Sequence, residues 1–496
     1  MNRQIAKLAL VGVALVAALI VATTYWQTWA TAGLNDRQDN EIQRVAQFSI
    51  KRGLIRAADG TVLASNRIKK AGGQKLYFRR YPQGGLFSHV VGYSTQSRSR
   101  SGLESSLNDY LTGSNQNLDT VLKTTLQRIR GATIKGNNVW LTLKPGAQRV
   151  AMQQLAGKCG SVVALDPRTG KVLVMASRPT FDPNLVEKDF ARINNISAAC
   201  RPAAPLLNRA TDGLFVPGSI FKVVTSAAAL DSGKYTIDSR FLDRGYCIEY
   251  GKKVLNFGDQ GGPEVFGSVN FLQALQHSIN AVFCEIGNAI GAGRVLGTSK
   301  QFGFYDDPPL ETPGNERSPS GLYNRGKLFY PGDPSTQVDS GRLAFGQERM
   351  LTTPLQMAMV AAAVANKGVI MEPHVVDRIT APGGAVVKRV RPSKDRRAMR
   401  RATANDLVQM MEAVVTGGTG TAAQIPGVRV AGKTGTAETG GPGTPNTTWF
   451  ISFAPAGAAR VAIAVVLQNQ RGSGGTTAAP IALAVMQAIL AGRSNP

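Results

Sequence analysis

Ser219-Ile220-Phe221-Lys222 sets a hydroxyl and an amine three residues apart. On a helix, positions i and i+3 share a face, so the spacing predicts that Lys222 reaches the Ser219 hydroxyl. A serine hydroxyl attacks an acyl carbon only when a neighbouring base takes its proton. A lysine serves as that base when burial and nearby positive charge lower its pKa. A serine at a helix start also gains from the positive end of the helix dipole. Taken alone the four-residue pattern is common by chance, and a buried helix without chemistry is the competing reading.

Two further constellations fit the same chemistry. In Ser278-Ile279-Asn280, a second hydroxyl would relay a proton between Lys222 and a leaving group, and the Asn280 amide would hold a substrate amide. Its competing reading is a serine capping a helix. In Lys433-Thr434-Gly435-Thr436, the amine and the hydroxyls of Thr434 and Thr436 would grip a substrate carboxylate. Gly435 would let a substrate backbone lie along a strand edge. Here the competing reading is an ordinary strand end. The run from Gly427 to Thr434 also satisfies the phosphate-binding pattern G-x-x-x-x-G-K-[ST], but that loop must join a strand to a helix. Residues 428–431 read as the strand itself and a glycine-rich stretch follows, which argues against a nucleotide site.

The surrounding elements are legible from periodicity. Residues 161–165, a turn at 166–170 and residues 171–176 read as a hairpin. Residues 219–230 are apolar around most of a helical circumference and end before Gly233, as a buried helix does. Residues 306–336, rich in Pro, Gly and Asp, read as one long loop. Residues 351–364 predict a helix, residues 428–431, 449–454 and 461–467 three strands, and residues 481–490 a closing helix. Two strands, a helical middle, three strands and a helix imply an α/β (α+β) domain with one mixed sheet covered by helices. Residues 33–155 form a separate basic region of short strands and turns.

The chain has 496 residues, enough for two or three domains, and 43% are hydrophobic. Lys and Arg number 57 against 32 Asp and Glu, a formal charge of +25 that suits an anionic partner. Arg3 and Lys7 precede an apolar run from Leu8 to Ala22, and Tyr25, Trp26 and Trp29 follow it. This order predicts an uncleaved membrane anchor with a cytoplasmic start. A signal peptide cut near Ala30-Thr31-Ala32 is the alternative. Either way the remainder is exported, which removes nucleic acid as a partner. The basic run from Lys388 to Arg401 reads as a solvated face, or else as a contact for anionic wall polymer or lipid. With three histidines and no C-x-x-C pair, a zinc site is not expected. Export permits disulfides among Cys159, Cys200, Cys247 and Cys284. Pairing Cys247 with Cys284 would tether the loop before Ser278 beside the site; the other two connectivities, and four free thiols, stay open.

The motifs S-x-x-K, S-x-N and K-T-G in this order are the set of penicillin-recognising serine enzymes. The chain resembles the class B high-molecular-weight penicillin-binding proteins over nearly its whole length. Arg52-Gly53-Leu54-Ile55, Gly102-Leu103-Glu104, Asn208-Arg209-Ala210, Phe345-Gly346-Gln347, Thr353-Pro354-Leu355-Gln356 and Trp449-Phe450 carry the likeness outside the motifs. The modest length is similar to the actinobacterial penicillin-binding protein A group. The resemblance implies a central antiparallel five-stranded sheet flanked by helices. It divides the chain into an anchor (1–30), a small elongated non-catalytic domain (31–155) and a transpeptidase domain (156–496). It implies a peptidoglycan D,D-transpeptidase without a cofactor, working on D-Ala-D-Ala stem peptides and acylated by β-lactams. Ser219 would be the nucleophile, Lys222 its base and Ser278 the proton relay. Asn280, Lys433, Thr434, Gly435 and Thr436 would bind substrate, and the Ser219 and Thr436 N–H groups would form the oxyanion hole. It also implies a polytopic membrane glycosyltransferase as partner, met through the anchor and first domain. A β-lactamase is the rival, since Glu311 and Asn315 stand in the Glu-x-x-x-Asn spacing of a deacylating base.

Overall fold

The computed structural model describes residues 2–25, 48–71, 74–114, 135–256, 264–437 and 445–492. Trp26, Trp29 and the Ala30-Thr31-Ala32 cleavage pattern lie outside the described residues.

The C-terminal body is built on five strands in the order Ala431–Ala437, Asn446–Ala454, Val461–Gln470, Gly160–Leu165 and Val172–Arg178. All four neighbouring pairs are antiparallel. The mixed sheet read from element order is therefore corrected, and the sheet implied by the family resemblance is found. Element order alone cannot give strand direction across the long helical middle. Alternation along the strands decides which residue meets which layer. Val163, Leu165, Ala462, Ala464, Val466, Ile451 and Phe453 face the buried helix Pro354–Ala365. Val162, Ala164, Ile463, Val465, Leu467 and Phe450 face the helices Pro145–Gln154 and Ala479–Ala491. Apolar packing on both faces is why these strands read as unbroken hydrophobic runs.

Helix Pro354–Ala365 begins later than the sequence pattern suggests. Pro354 occupies its first turn, Thr353 Oγ1 accepts from Gln356 N–H, and Met350–Leu351 is a strand instead. The expected loop over 306–336 is also corrected. It contains the hairpin strands Gly321–Asn324 and Lys327–Leu328, joined by Arg325 and Gly326 at φ +49° and +78°. Two positive φ values suit a two-residue hairpin turn, a signal that Asn-Arg-Gly carries only weakly.

Residues before 155 do not complete their own sheet. Its order is Val386–Arg389, Val376–Thr380, Asn138–Leu141, Ile55–Arg56, Val62–Ala71 and Gln74–Arg80, so two strands come from far along the chain. Beneath the hairpin lies Glu104, fully buried between two guanidiniums. Arg52 Nη2 donates to Oε2 at 2.9 Å and Arg79 Nε to Oε1 at 2.6 Å. Burial pushes the Glu104 carboxyl up, but Arg79 and Arg52 together outweigh it and hold it below its ordinary value.

Helix Asn2–Tyr25 has 24 residues and is about 36 Å long. Leu10, Val13, Leu15, Leu19 and Val21 on it are exposed. Gly474–Ala491 is also apolar and long enough to span a bilayer, but half of it is buried, with Ile481, Val485 and Met486 packed on the sheet. It is a core element. Cys159 bonds Cys200, and Cys247 bonds Cys284.

Glu104→Gln removes the one anion compensating two buried cations. The expected loss is about 3–5 kcal/mol of folding stability, read from urea denaturation. A loss no larger than that of a surface substitution would show that Arg52 and Arg79 are not held by this carboxylate.

Candidate active site

Ser219 lies in a short 3₁₀ turn, Gly218–Phe221, that runs straight into the α-helix Lys222–Asp231. Val223, Val224, Ala227 and Ala228 are fully buried, which anchors the helix in the core and drags Lys222 in with it. Gly218 takes φ +54°, and a Cβ there would press on Ala437 and the Thr436 carbonyl. Gly346 is needed just as much, since a Cβ on it would collide with the Gly218 carbonyl. Trp449 Nε1 donates to the Val216 carbonyl at 3.0 Å, fixing the run that leads into the turn.

Lys222 Nζ donates to the Ser278 carbonyl at 2.7 Å, Asn280 Oδ1 at 2.7 Å and Ser278 Oγ at 3.3 Å. Among the described residues no hydrogen bond joins it to Ser219 Oγ, the pairing the i, i+3 spacing predicted. Its polar contacts lie on the side of the second motif instead. Ser278 sits between helices Phe271–Gln276 and Asn280–Ile290 at φ +61°, a region that disfavours non-glycine residues. That strained backbone turns its carbonyl and hydroxyl together toward Lys222.

Lys433 Nζ donates to the same Ser278 Oγ at 2.8 Å and to the Thr434 carbonyl at 3.0 Å. The motif that bears it does not follow a strand, as the sequence suggested. It lies within the edge strand Ala431–Ala437, opposite Trp449 and Phe450. The apolar run at 428–431 only leads into the strand, because pairing with Asn446–Ala454 begins at Ala431. Gly435 lets the strand pass Ile220 and the Pro217 carbonyl, each within 3.1 Å of where a Cβ would stand. Alternation turns Thr434 and Thr436 to the other face. Thr434 Oγ1 meets Thr419 Oγ1 at 2.6 Å, and Thr436 Oγ1 accepts from Gly474 N–H at 3.2 Å.

Both lysines are completely buried. Burial drives the Lys222 ammonium well below its ordinary pKa, and the charge on Lys433 lowers it further. Burial brings Lys433 down to about 7. One neutral and one charged amine against a shared hydroxyl can pass a proton along the line Lys222, Ser278, Lys433.

All eight sequence-singled residues therefore gather at one place. Sequence reasoning met Gly346 only as part of the likeness at 345–347, and missed Thr419, Gly474 and the Leu255 carbonyl that accepts from Asn280 Nδ2 at 3.0 Å. Only the glycine-rich run at 417–420 hinted at one of them. Glu311 is elsewhere engaged: its oxygens accept from Val375 N–H at 2.8 Å and Val376 N–H at 3.2 Å. Burial raises its pKa. Part of the basic run is paired within the protein, with Arg396 on Asp306 and Arg400 on Asp231.

Residues 160–487 match the family model for the penicillin binding protein transpeptidase domain, and residues 52–139 that for the penicillin binding protein A dimerisation domain. The chain is 33% identical to the peptidoglycan D,D-transpeptidase PbpA of Mycolicibacterium smegmatis, covering 99% of both. It is similar in structure to penicillin-binding protein A from Mycobacterium tuberculosis in its penicillin G acyl-enzyme complex, at 30% identity and TM-score 0.77, with 89% of this chain and 100% of that one covered. The D,D-transpeptidase domain of a peptidoglycan glycosyltransferase from Eggerthella lenta shares 33% identity at TM-score 0.75, covering 90% and 99%.

An unfolded lysine titrates near about 10.4, while folded Lys433 does so at about 7. Between these values the unfolded chain binds the extra proton, so stability falls as pH drops from 10 to 7. Lys433→Met should make that slope shallower and raise stability at neutral pH by about 1–4 kcal/mol, the range seen when buried charges give way to apolar groups. Thermal melts across this pH range check it, and a destabilised variant with an unchanged slope would contradict it.

Proposed function

The chain belongs to the penicillin-binding protein transpeptidase family, and from that premise we propose that it crosslinks peptidoglycan as a serine D,D-transpeptidase through an acyl-enzyme on Ser219. The observation that carries this reading is the pair of buried lysines meeting one serine hydroxyl beside a half-buried Ser219. Neutral Lys222 takes the Ser219 proton as Oγ attacks the D-Ala-D-Ala carbonyl, either on closing to Ser219 or through Ser278. Ser278 hands a proton to the departing D-Ala amine. The N–H groups of Ser219 and Thr436 stabilise the oxyanion, Ser219 lying in a first helical turn where N–H groups lack intrahelical acceptors. Asn280 holds the substrate amide, and charged Lys433 with Thr434, Gly435 and Thr436 holds the terminal carboxylate along the strand edge. An amine from a second stem peptide then resolves the ester, and β-lactams acylate Ser219 in place of substrate.

The anchor is helix Asn2–Tyr25, with the catalytic body outside the cytoplasmic membrane; its exposed apolar residues support this. Residues 31–155 form the non-catalytic domain and 156–496 the transpeptidase domain, the latter lending strands Val376–Thr380 and Val386–Arg389 to the sheet of the former. A polytopic glycosyltransferase meets the anchor and first domain, as the family resemblance implies.

Ser219→Ala should abolish covalent labelling by fluorescent penicillin while leaving the melting transition in place; labelling that persists at another residue would overturn the nucleophile. Acylation should rise with pH as Lys222 loses its proton and fall as Lys433 loses its own near 7 in the free enzyme. Penicilloyl-enzyme freed of drug should persist for hours, equally in Glu311→Gln, because the Glu311 oxygens are held by backbone N–H groups. Intact-mass decay within seconds that Glu311→Gln stops would make the protein a β-lactamase.

A further inference from the structure

We propose that Asn256 is a positioning residue for Lys222, acting through Asn280. The inference rests on the reading of Lys222 as the base. Asn280 Oδ1 accepts from Lys222 Nζ at 2.7 Å, and Asn280 Nδ2 donates to the Leu255 carbonyl at 3.0 Å. A backbone carbonyl only accepts, so the Leu255 carbonyl takes the NH2 end of the carboxamide and leaves Oδ1 turned to the Lys222 amine. The aim of the Lys222 amine therefore depends on where the Leu255 carbonyl stands.

Leu255 ends the hairpin formed by Tyr246–Glu249 and Lys252–Leu255, a two-stranded sheet joined, among the described residues, to no other strand. Such a hairpin is marginal by itself. Side-chain fastenings tie it to the helix Asn280–Ile290. The Cys247–Cys284 bond ties its first strand to that helix, and Glu249 Oε1 accepts from Asn288 Nδ2 at 2.6 Å. Asn256 holds its other end, directly after Leu255.

Asn256 is 5% exposed, and both ends of its amide are engaged. Oδ1 accepts from Ala281 N–H at 3.0 Å. This is a first-turn N–H of the Asn280–Ile290 helix, which has no side-chain cap of its own. Nδ2 donates to the two Asp243 oxygens at 3.0 and 2.9 Å and to the Glu264 carbonyl at 2.9 Å. Asp243 is itself fixed by Gly245 N–H at 2.9 Å and Phe266 N–H at 2.8 Å. Adjacent residues of one segment thus grip adjacent residues of the helix: Leu255 holds Asn280, and Asn256 holds Ala281. Loss of the second grip lets the Leu255 carbonyl retreat and frees the Asn280 amide to turn its donors toward Lys222.

The test uses full-length protein in nanodiscs and separates penicillin binding from the acylation step by stopped flow. Asn256→Ala should slow acylation about ten- to a hundredfold, the scale on which an ångström of misplacement is felt. The double variant Asn256→Ala/Asn280→Ala should be as slow as Asn280→Ala alone, because the two act along one path. A parental acylation rate in Asn256→Ala, or effects that multiply in the double variant, overturns the proposal. If Asn256→Ala does not fold, Cys247→Ser/Cys284→Ser frees the same hairpin at its other end. It should show the same slowing, silent on the Asn280→Ala background, and a parental rate there overturns the proposal. If Asn280→Ala acylates as fast as the parent, this inference falls, while the Ser219→Ala labelling decides the nucleophile separately.

Discussion

Two lysine side chains with no solvent exposure share one serine hydroxyl, and the architecture of the site follows from holding them there. Lys222 Nζ lies 3.3 Å and Lys433 Nζ 2.8 Å from Ser278 Oγ, so the two nitrogens are at most about 6 Å apart. Two full charges at that distance repel by about 3 kcal/mol at the effective dielectric of a protein. Burial adds its own penalty to each charge. The site resolves both costs in one way: Lys222 gives up its proton first, since it feels burial and the Lys433 charge together. Lys433 keeps a Ser278 hydroxyl and a Thr434 carbonyl as acceptors and titrates later. A neutral amine and a charged one arise from the same squeeze.

Holding two unfavourable amines in the core requires rigid walls. One wall is the helix Lys222–Asp231, whose apolar sides leave Lys222 no route to water. The other is the edge strand Ala431–Ala437, fixed residue by residue against Asn446–Ala454. Glycines at 218, 346, 435 and 474 let these walls approach more closely than any side chain allows. The single strained non-glycine of the centre, Ser278, then carries the hydroxyl that both amines use. Strain there is tolerable because the packed helices on either side leave the backbone no alternative.

The first region repeats the theme in a simpler form. Glu104 is buried between Arg52 and Arg79, and these cations reverse the effect of burial on its charge. Its sheet also draws on residues 376–389, so the two halves of the molecule share strands and a continuous apolar core. A force on the first region therefore acts on backbone that belongs to the catalytic body.

Read by itself, the sequence determined the residue types, the order of three motifs, the buried helix behind Ser219 and the doubly buried strands. These are local properties: an i, i+3 spacing, a period of two, an unbroken apolar run. Tertiary structure alone decided that Lys433 sits within a strand and that residues 376–389 complete a distant sheet, and it replaced the mixed sheet of the element order with the antiparallel one that the family resemblance implied. It alone turned Lys222 toward Ser278 and Asn280, and brought Asn256 and Thr419 beside the motifs. No periodicity can show such things, because they depend on which distant segments pack together. The lowered pKa of each lysine has the same origin. Any lysine can hold a proton; only a fold that removes water and sets a second amine beside it makes that proton easy to lose.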